Sequence, residues 1–156
     1  MNTNKQEKIN MGQTMEQLRE EMEQCRKCDL WQSRNHLIFG EGNDHAPQES
    51  AACLPWLNRQ LELVDPRIMI LLGATALKYM AGTDYRITRV RGNWIRQGNR
   101  LMMPVYHPSA LLRNPALKRD TWEDFKKAVY KYRELVDPDH YSPHIPLNGN
   151  QTKRES

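Results

Sequence analysis

The run Ile68-Met69-Ile70-Leu71-Leu72-Gly73 constrains the fold of this chain more than any other stretch. It is too short for a helix and has no polar alternation, so it reads as a strand covered on both faces and closed by a glycine. A strand of that kind belongs where helices pack on either side of a sheet. The flanking segments agree. Upstream, Pro47 and Glu49 open a helical stretch bearing Cys53, Trp56, Leu57, Gln60, Leu61 and Val64, which Asp65-Pro66 stops. Downstream, Ala74 to Met80 is helical in character. Helix, strand and helix in that order define a layered α/β fold with parallel strands.

The remaining segments fit around this unit. Thr14 with Gln17 forms a capping box, and Met15, Leu18, Met22 and Cys25 share one face of the helix it opens. Leu37-Ile38-Phe39, running into Gly40-Glu41-Gly42-Asn43, is a strand-then-turn signal. Trp94-Ile95-Arg96 and Leu101-Met102-Met103-Pro104-Val105 flank Gln97-Gly98-Asn99, a hairpin signal. Asp120 with Glu123 is expected to cap a last amphipathic helix carrying Trp122, Phe125, Val129, Tyr132 and Val136. A length of 156 residues suits one domain, read as 14–137. Residues 1–13 are polar, and 138–156 hold Pro138, Pro143, Pro146 and Gly149, so both ends are expected to be disordered. No stretch is apolar enough to cross a bilayer and no secretory signal core is present, which predicts a cytoplasmic protein without membrane attachment.

The net charge of +4 matters less than its placement. From Tyr85 to Arg119 there is no Asp or Glu, yet Arg86, Arg89, Arg91, Arg96, Arg100, Arg113, Lys118 and Arg119 all fall there. A block of that kind suits a polyanion, because neutralised phosphates release counterions. A solvated basic face is the alternative.

Within this block, Tyr106-His107-Pro108-Ser109-Ala110-Leu111-Leu112-Arg113 follows a predicted strand, where open α/β sheets place their ligand sites. Pro108 stiffens the turn and Ser109 can bond a phosphate. Leu111 and Leu112 are apolar where a loop would be polar, and Arg113 adds a cation beside them. An apolar wedge between hydroxyl and basic groups can fill the stack left by an extruded base. The His107 imidazole can donate to the oxygen of a departing base anion. The alternative is a loop histidine followed by two leucines that begin a core-facing helix.

The order and spacing of several segments resemble the iron–sulphur (family 4-like) branch of the uracil-DNA glycosylase superfamily. They are Pro66-Arg67-Ile68-Met69-Ile70-Leu71-Leu72-Gly73-Ala74-Thr75-Ala76, Arg91-Gly92-Asn93-Trp94, Met103 to Pro115, and Trp122. The likeness runs from about Cys25 to Leu135. It implies a three-layer αβα fold with a reduced parallel sheet, and action on uracil-containing DNA, single- or double-stranded, in base excision repair. In this likeness His107 stands where the histidine that stabilises the uracil anion stands. Leu111 takes the place of the minor-groove wedge, with Pro108, Ser109, Leu112, Arg113 and Arg91 at the DNA.

Cys25-x-x-Cys28 brings two thiolates close enough to grip one metal, and Cys53 sits in a stretch resembling that around the family's last cluster ligand. The resemblance implies a 4Fe-4S cluster, which the family holds with four cysteines; this chain has three. Water can complete such a cluster, His36 or His45 can complete a Cys₃His zinc site, or the thiols can simply be packed and reduced.

The resemblance also exposes a gap. After Asn43 the family continues into another strand, a Gly-Glu-Ala-Pro-Gly turn, an aromatic that stacks on uracil and a Lys-Cys-Arg-Pro-Pro segment. Here the chain passes to Asp44-His45-Ala46-Pro47. The lost segment would position water and read the base. Three roles follow: a reduced glycosylase, a DNA-binding module without catalysis, or a remnant whose interrupted sheet is covered by a protein partner.

Overall fold

The computed structural model describes residues 13–33 and 47–147. The expected strand at Leu37–Phe39 and both histidines offered as zinc ligands, His36 and His45, lie outside these residues, as does the expected disordered start up to residue 12.

The chain forms two compact units, divided after Asp65. In the first, α1 (Met15–Glu23) opens with the expected capping box: Gln17 N–H donates to Thr14 Oγ1 at 3.3 Å and Thr14 N–H to Gln17 Oε1 at 2.9 Å. A short turn of helix, α2 (Leu30–Ser33), follows, and α3 (Pro47–Val64) completes the unit. Leu18 is fully buried, and Arg59 of α3 reaches Glu21 of α1 at 3.0 Å. Asp65 ends α3 in the left-handed region at φ 43°, which Asp tolerates better than most residues, and Pro66 prevents further helix.

The second unit runs β1 (Ile68–Leu72), α4 (Gly73–Ala81), α5 (Ile87–Val90), β2 (Ile95–Gln97), β3 (Arg100–Val105), α6 (Pro108–Arg113) and α7 (Leu117–Leu135). The sheet order is β1-β3-β2. β1 and β3 are parallel, with Ile68 opposite Leu101 and Leu72 opposite Val105. β2 and β3 form the expected antiparallel hairpin, whose turn uses Gly98 at φ 57°. Pro104 sits within the central strand because β2 has already ended: its last partner on β3 is Met102, and the Pro104 carbonyl instead accepts from Gly92 N–H at 2.8 Å.

Alternation along the strands gives each face its own core. Leu71 and Met102 pack with Leu77 of α4 on one face; Met103 and Val105 pack with Ala128 of α7 on the other. The result is an αβα arrangement about a small sheet. The strand buried on both faces is β3, where Met102 to Val105 are all buried, rather than β1, which is half-buried at the sheet's end, with Leu72 exposed.

Two expectations are corrected. α7 begins at Leu117, with no side-chain cap, so Asp120 and Glu123 do not cap it. Its buried positions are Thr121, Asp124, Ala128 and Arg133, whereas Trp122, and Val136 just past its end, are exposed. Polar residues can face inward because each is satisfied: Thr121 Oγ1 donates to the Leu117 carbonyl at 2.9 Å, and Asp124 accepts from Arg91.

The disordered tail read from residue 138 also gives way, as far as Leu147, to a segment folded along α7. Arg133 gathers three backbone carbonyls: His140 at 3.0 Å, Ile145 at 2.7 Å and Pro146 at 2.8 Å. Ile145 is buried, and His140 and His144 pack edge-on against Tyr132 and Trp122. Proline density removed periodicity from this stretch but not its carbonyls, and those are what the guanidinium binds.

Candidate nucleic-acid interface

β1 and β3 end side by side, Leu72 opposite Val105, so the turns that follow them meet at one edge of the sheet. Gly73 lies in the first turn at φ 86°, and a Cβ placed there would fall 3.0 Å from the Cβ of His107. His107 therefore rests on a glycine backbone at the carboxyl end of two parallel strands, the position at which such sheets bind ligands.

The His107-to-Arg113 segment is helical rather than a loop. His107 is the N-cap of α6 and Pro108 opens the first turn, where its missing N–H costs nothing. The Ser109 amide donates to His107 Nδ1 at 3.1 Å, and Ser109 Oγ lies 2.8 Å from the same nitrogen. His107, Pro108, Ser109 and Arg113 are exposed. Of the two leucines, Leu111 is half-buried, whereas Leu112 is 78% exposed. Helical spacing separates their directions, so only one can project freely while the other helps seat α6. Leu111 carries the wedge assignment by resemblance; Leu112 has the greater apolar reach.

Arg91 is placed differently from the other basic residues. Its guanidinium contacts Asp124 and Asp120, each at 2.7 Å, and lies over the Tyr106 ring, 5.4 Å from its centroid. Burial opposes the charge, but the hydrogen bond to Asp124 and the charges of Asp124 and Asp120 outweigh it and raise the Arg91 pKa above its ordinary value. Beneath it, Gly92 at φ 70° leaves room for the Asp124 carboxylate, and its carbonyl accepts from Lys127 at 3.3 Å. Arg91 thus ties the turn before β2 to α7 and braces the tyrosine next to His107. Sequence reading missed Asp120, Asp124 and Gly73. The signal for the acids was their i, i+4 spacing just beyond a block without acids, and for Gly73 its place between strand and helix.

The cysteines lie in the first unit. Cys25 and Cys28 are half-buried and Cys53 is exposed. The Trp56 indole donates to Cys25 Sγ at 3.3 Å, with Lys27 and Arg59 over its ring. Cys53 is three residues before Trp56 on α3, and so on the same side of that helix. Among the described residues no three His, Cys, Asp or Glu side chains gather into a metal-holding group. The three cysteines as placed do not fit a four-thiolate cluster.

Residues 9–126 match the uracil DNA glycosylase superfamily. The chain belongs to that superfamily, and its relatives place it beside the type-4, iron–sulphur branch. It is 27% identical to the type-4 uracil-DNA glycosylase of Sulfurisphaera tokodaii, across 87% of this chain and 91% of that one. It is 43% identical to the type-4 enzyme of Thermotoga maritima, across 53% of this chain and 45% of that one. The chain thus spans less than half of the Thermotoga protein, but nearly all of the Sulfurisphaera protein. That longer alignment runs over 205 residues, more than the 156 of this chain, so the relative has internal residues with no counterpart here. Among the described residues no helix is long and apolar enough to cross a membrane.

Proposed function

We propose that the chain binds uracil-containing DNA through His107 to Arg113, with hydrolysis reduced to what this segment alone provides. The carrying observation is the hydrogen bond from the Ser109 amide to His107 Nδ1. With Nδ1 engaged as acceptor, the neutral ring carries its proton on Nε2. A donor there is what a departing base anion requires. Ser109 and Arg113 supply phosphate contacts, Pro108 fixes the turn, and Leu111 and Leu112 supply apolar bulk for a vacated stack. Hydrolysis further needs positioned water and support for positive charge at the sugar. The family segment expected to supply both has no counterpart here, so DNA binding should outlast excision.

Three subsidiary assignments belong to this reading. Cys25, Cys28 and Cys53 form a reduced metal site that holds iron or zinc only when the metal draws three thiolates together. β1, at the end of the sheet order among the described residues, is the edge along which a protein partner would pair. The site of action is the cytoplasm.

The test measures free uracil released from a uracil-containing oligonucleotide by anaerobically prepared protein, with affinity read in parallel. We expect uracil-dependent binding with little or no release, and any release to vanish in His107→Ala while affinity changes less than about twofold, as for a group acting on charge formed during reaction. Binding and release lost together, or neither affected, would remove His107 from this role.

A further inference from the structure

Trp122 lies on α7 one turn beyond Lys118 and Arg119, and the three form an exposed stripe that leads to the half-buried Lys126 at the next turn. The indole is 41% exposed although it lies on a helix that packs against the sheet. His144 makes a T-shaped contact with it, 6.5 Å between ring centroids with the planes at 66°. That contact exists because Arg133 draws the tail back along α7. A single T-shaped neighbour orients the ring and covers at most one of its two faces.

The charges around this ring are unbalanced. Asp120 and Asp124 are engaged by Arg91, and Glu123 by Lys126 at 2.8 Å. Among the described residues no carboxylate pairs with Lys118 or Arg119, nor with Arg113 on α6, which packs against α7. An accessible aromatic face flanked by uncompensated cations is the combination that binds single strands, phosphates on the cations and a base on the ring.

We propose that Trp122, oriented by His144 and flanked by Lys118 and Arg119, is a stacking site for an unpaired base of single-stranded DNA. It extends the DNA contact beyond the His107 segment, and in that sense rests on the reading above. It does not require uracil, because every base offers a π face. The arrangement also gives the tail a task, since releasing it would remove the ring that holds the indole.

The experiment is fluorescence anisotropy with an oligo-dT strand that contains no uracil and, separately, with a duplex. Trp122→Ala should weaken oligo-dT binding roughly tenfold and leave duplex binding unchanged, with the salt dependence intact. Trp122→Phe should retain most of the affinity, and His144→Ala should lose part of it. Lys118→Ala and Arg119→Ala should each reduce the salt slope by about one phosphate contact. Wild-type oligo-dT affinity in Trp122→Ala, or an equal loss on duplex, would overturn the proposal. Should Trp122→Ala lose its helical circular dichroism, DNA-induced tryptophan quenching decides, and equal quenching in wild type and Trp122→Phe overturns it. The His107 segment is assayed apart: uracil-dependent binding that fails in Leu111→Ala and Leu112→Ala, with oligo-dT binding intact, separates failure of one site from failure of the other.

Discussion

Gly73 and His107 touch across the ends of two parallel strands: a side chain on the first would begin 3.0 Å from the Cβ of the second. The glycine also holds φ 86°, a conformation L side chains rarely adopt. Gly73→Ala should therefore cost about 1–3 kcal/mol of stability through backbone strain. It should also displace the imidazole, which the ring signals of His107 in NMR spectra would report. Urea unfolding with NMR of the histidine rings reads both effects; an unmoved His107 signal would mean that the histidine is not seated on this backbone.

The two carboxylates that hold Arg91 should differ in weight. Asp124 has 3% of its side chain exposed and also lies under Gly92, whereas Asp120 is 54% exposed. Asp124→Asn should cost about 1–3 kcal/mol, the range for a buried group left with an unmatched partner. Asp120→Asn should cost less than about 1 kcal/mol, because solvent screens an exposed pair. Chemical denaturation of the two variants makes the comparison, and equal losses would contradict the burial argument.

Salt dependence should separate the basic residues into two groups. Arg113 is exposed with no carboxylate among the described residues, so Arg113→Ala should lower the salt slope on DNA by about one contact. Arg91→Ala should lower stability instead and leave the slope nearly unchanged, since its charge is already matched by Asp120 and Asp124. Titrations at several salt concentrations decide. A slope reduced by Arg91→Ala would make it a DNA contact after all.

Metal should be held weakly. With three thiolates and no gathered group of ligands among the described residues, anaerobic protein should carry well under one 4Fe-4S cluster per chain, and Cys25→Ala should remove what is there. Iron, sulphide and zinc analysis alongside visible absorption checks this. Four irons per chain would require a fourth ligand from elsewhere.

Much of the architecture can be read from residue patterns, because apolar runs and turn residues act locally. Ile68–Leu72, the Gly98 turn and the Thr14–Gln17 box all fall where their chemistry places them. The His107 segment is legible for a different reason: its ordered series resembles a family, while its atoms form a helix where a loop was expected. What patterns miss are inward-facing polar groups whose partners are distant in sequence. Asp124 is 33 residues from Arg91, and the i, i+4 spacing of the acids does not say which cation they meet. The tail fails for a related reason, since composition registers prolines and not the acceptors between them.

The clamp at Arg133 has a consequence for how this tail can change. Its three acceptors are main-chain oxygens, so the guanidinium responds to chain path and not to the identity of residues 140 and 146. Apart from the buried Ile145 and the two histidines that meet Tyr132 and Trp122, the segment is free to vary in sequence while keeping its course. The constraint falls on one side chain of α7. Lysine could not replace it, because a single ammonium lacks the planar fork that meets three carbonyls together. Drift at the tail's other positions would thus go unnoticed by the fold, whereas loss of one arginine would release the entire strap.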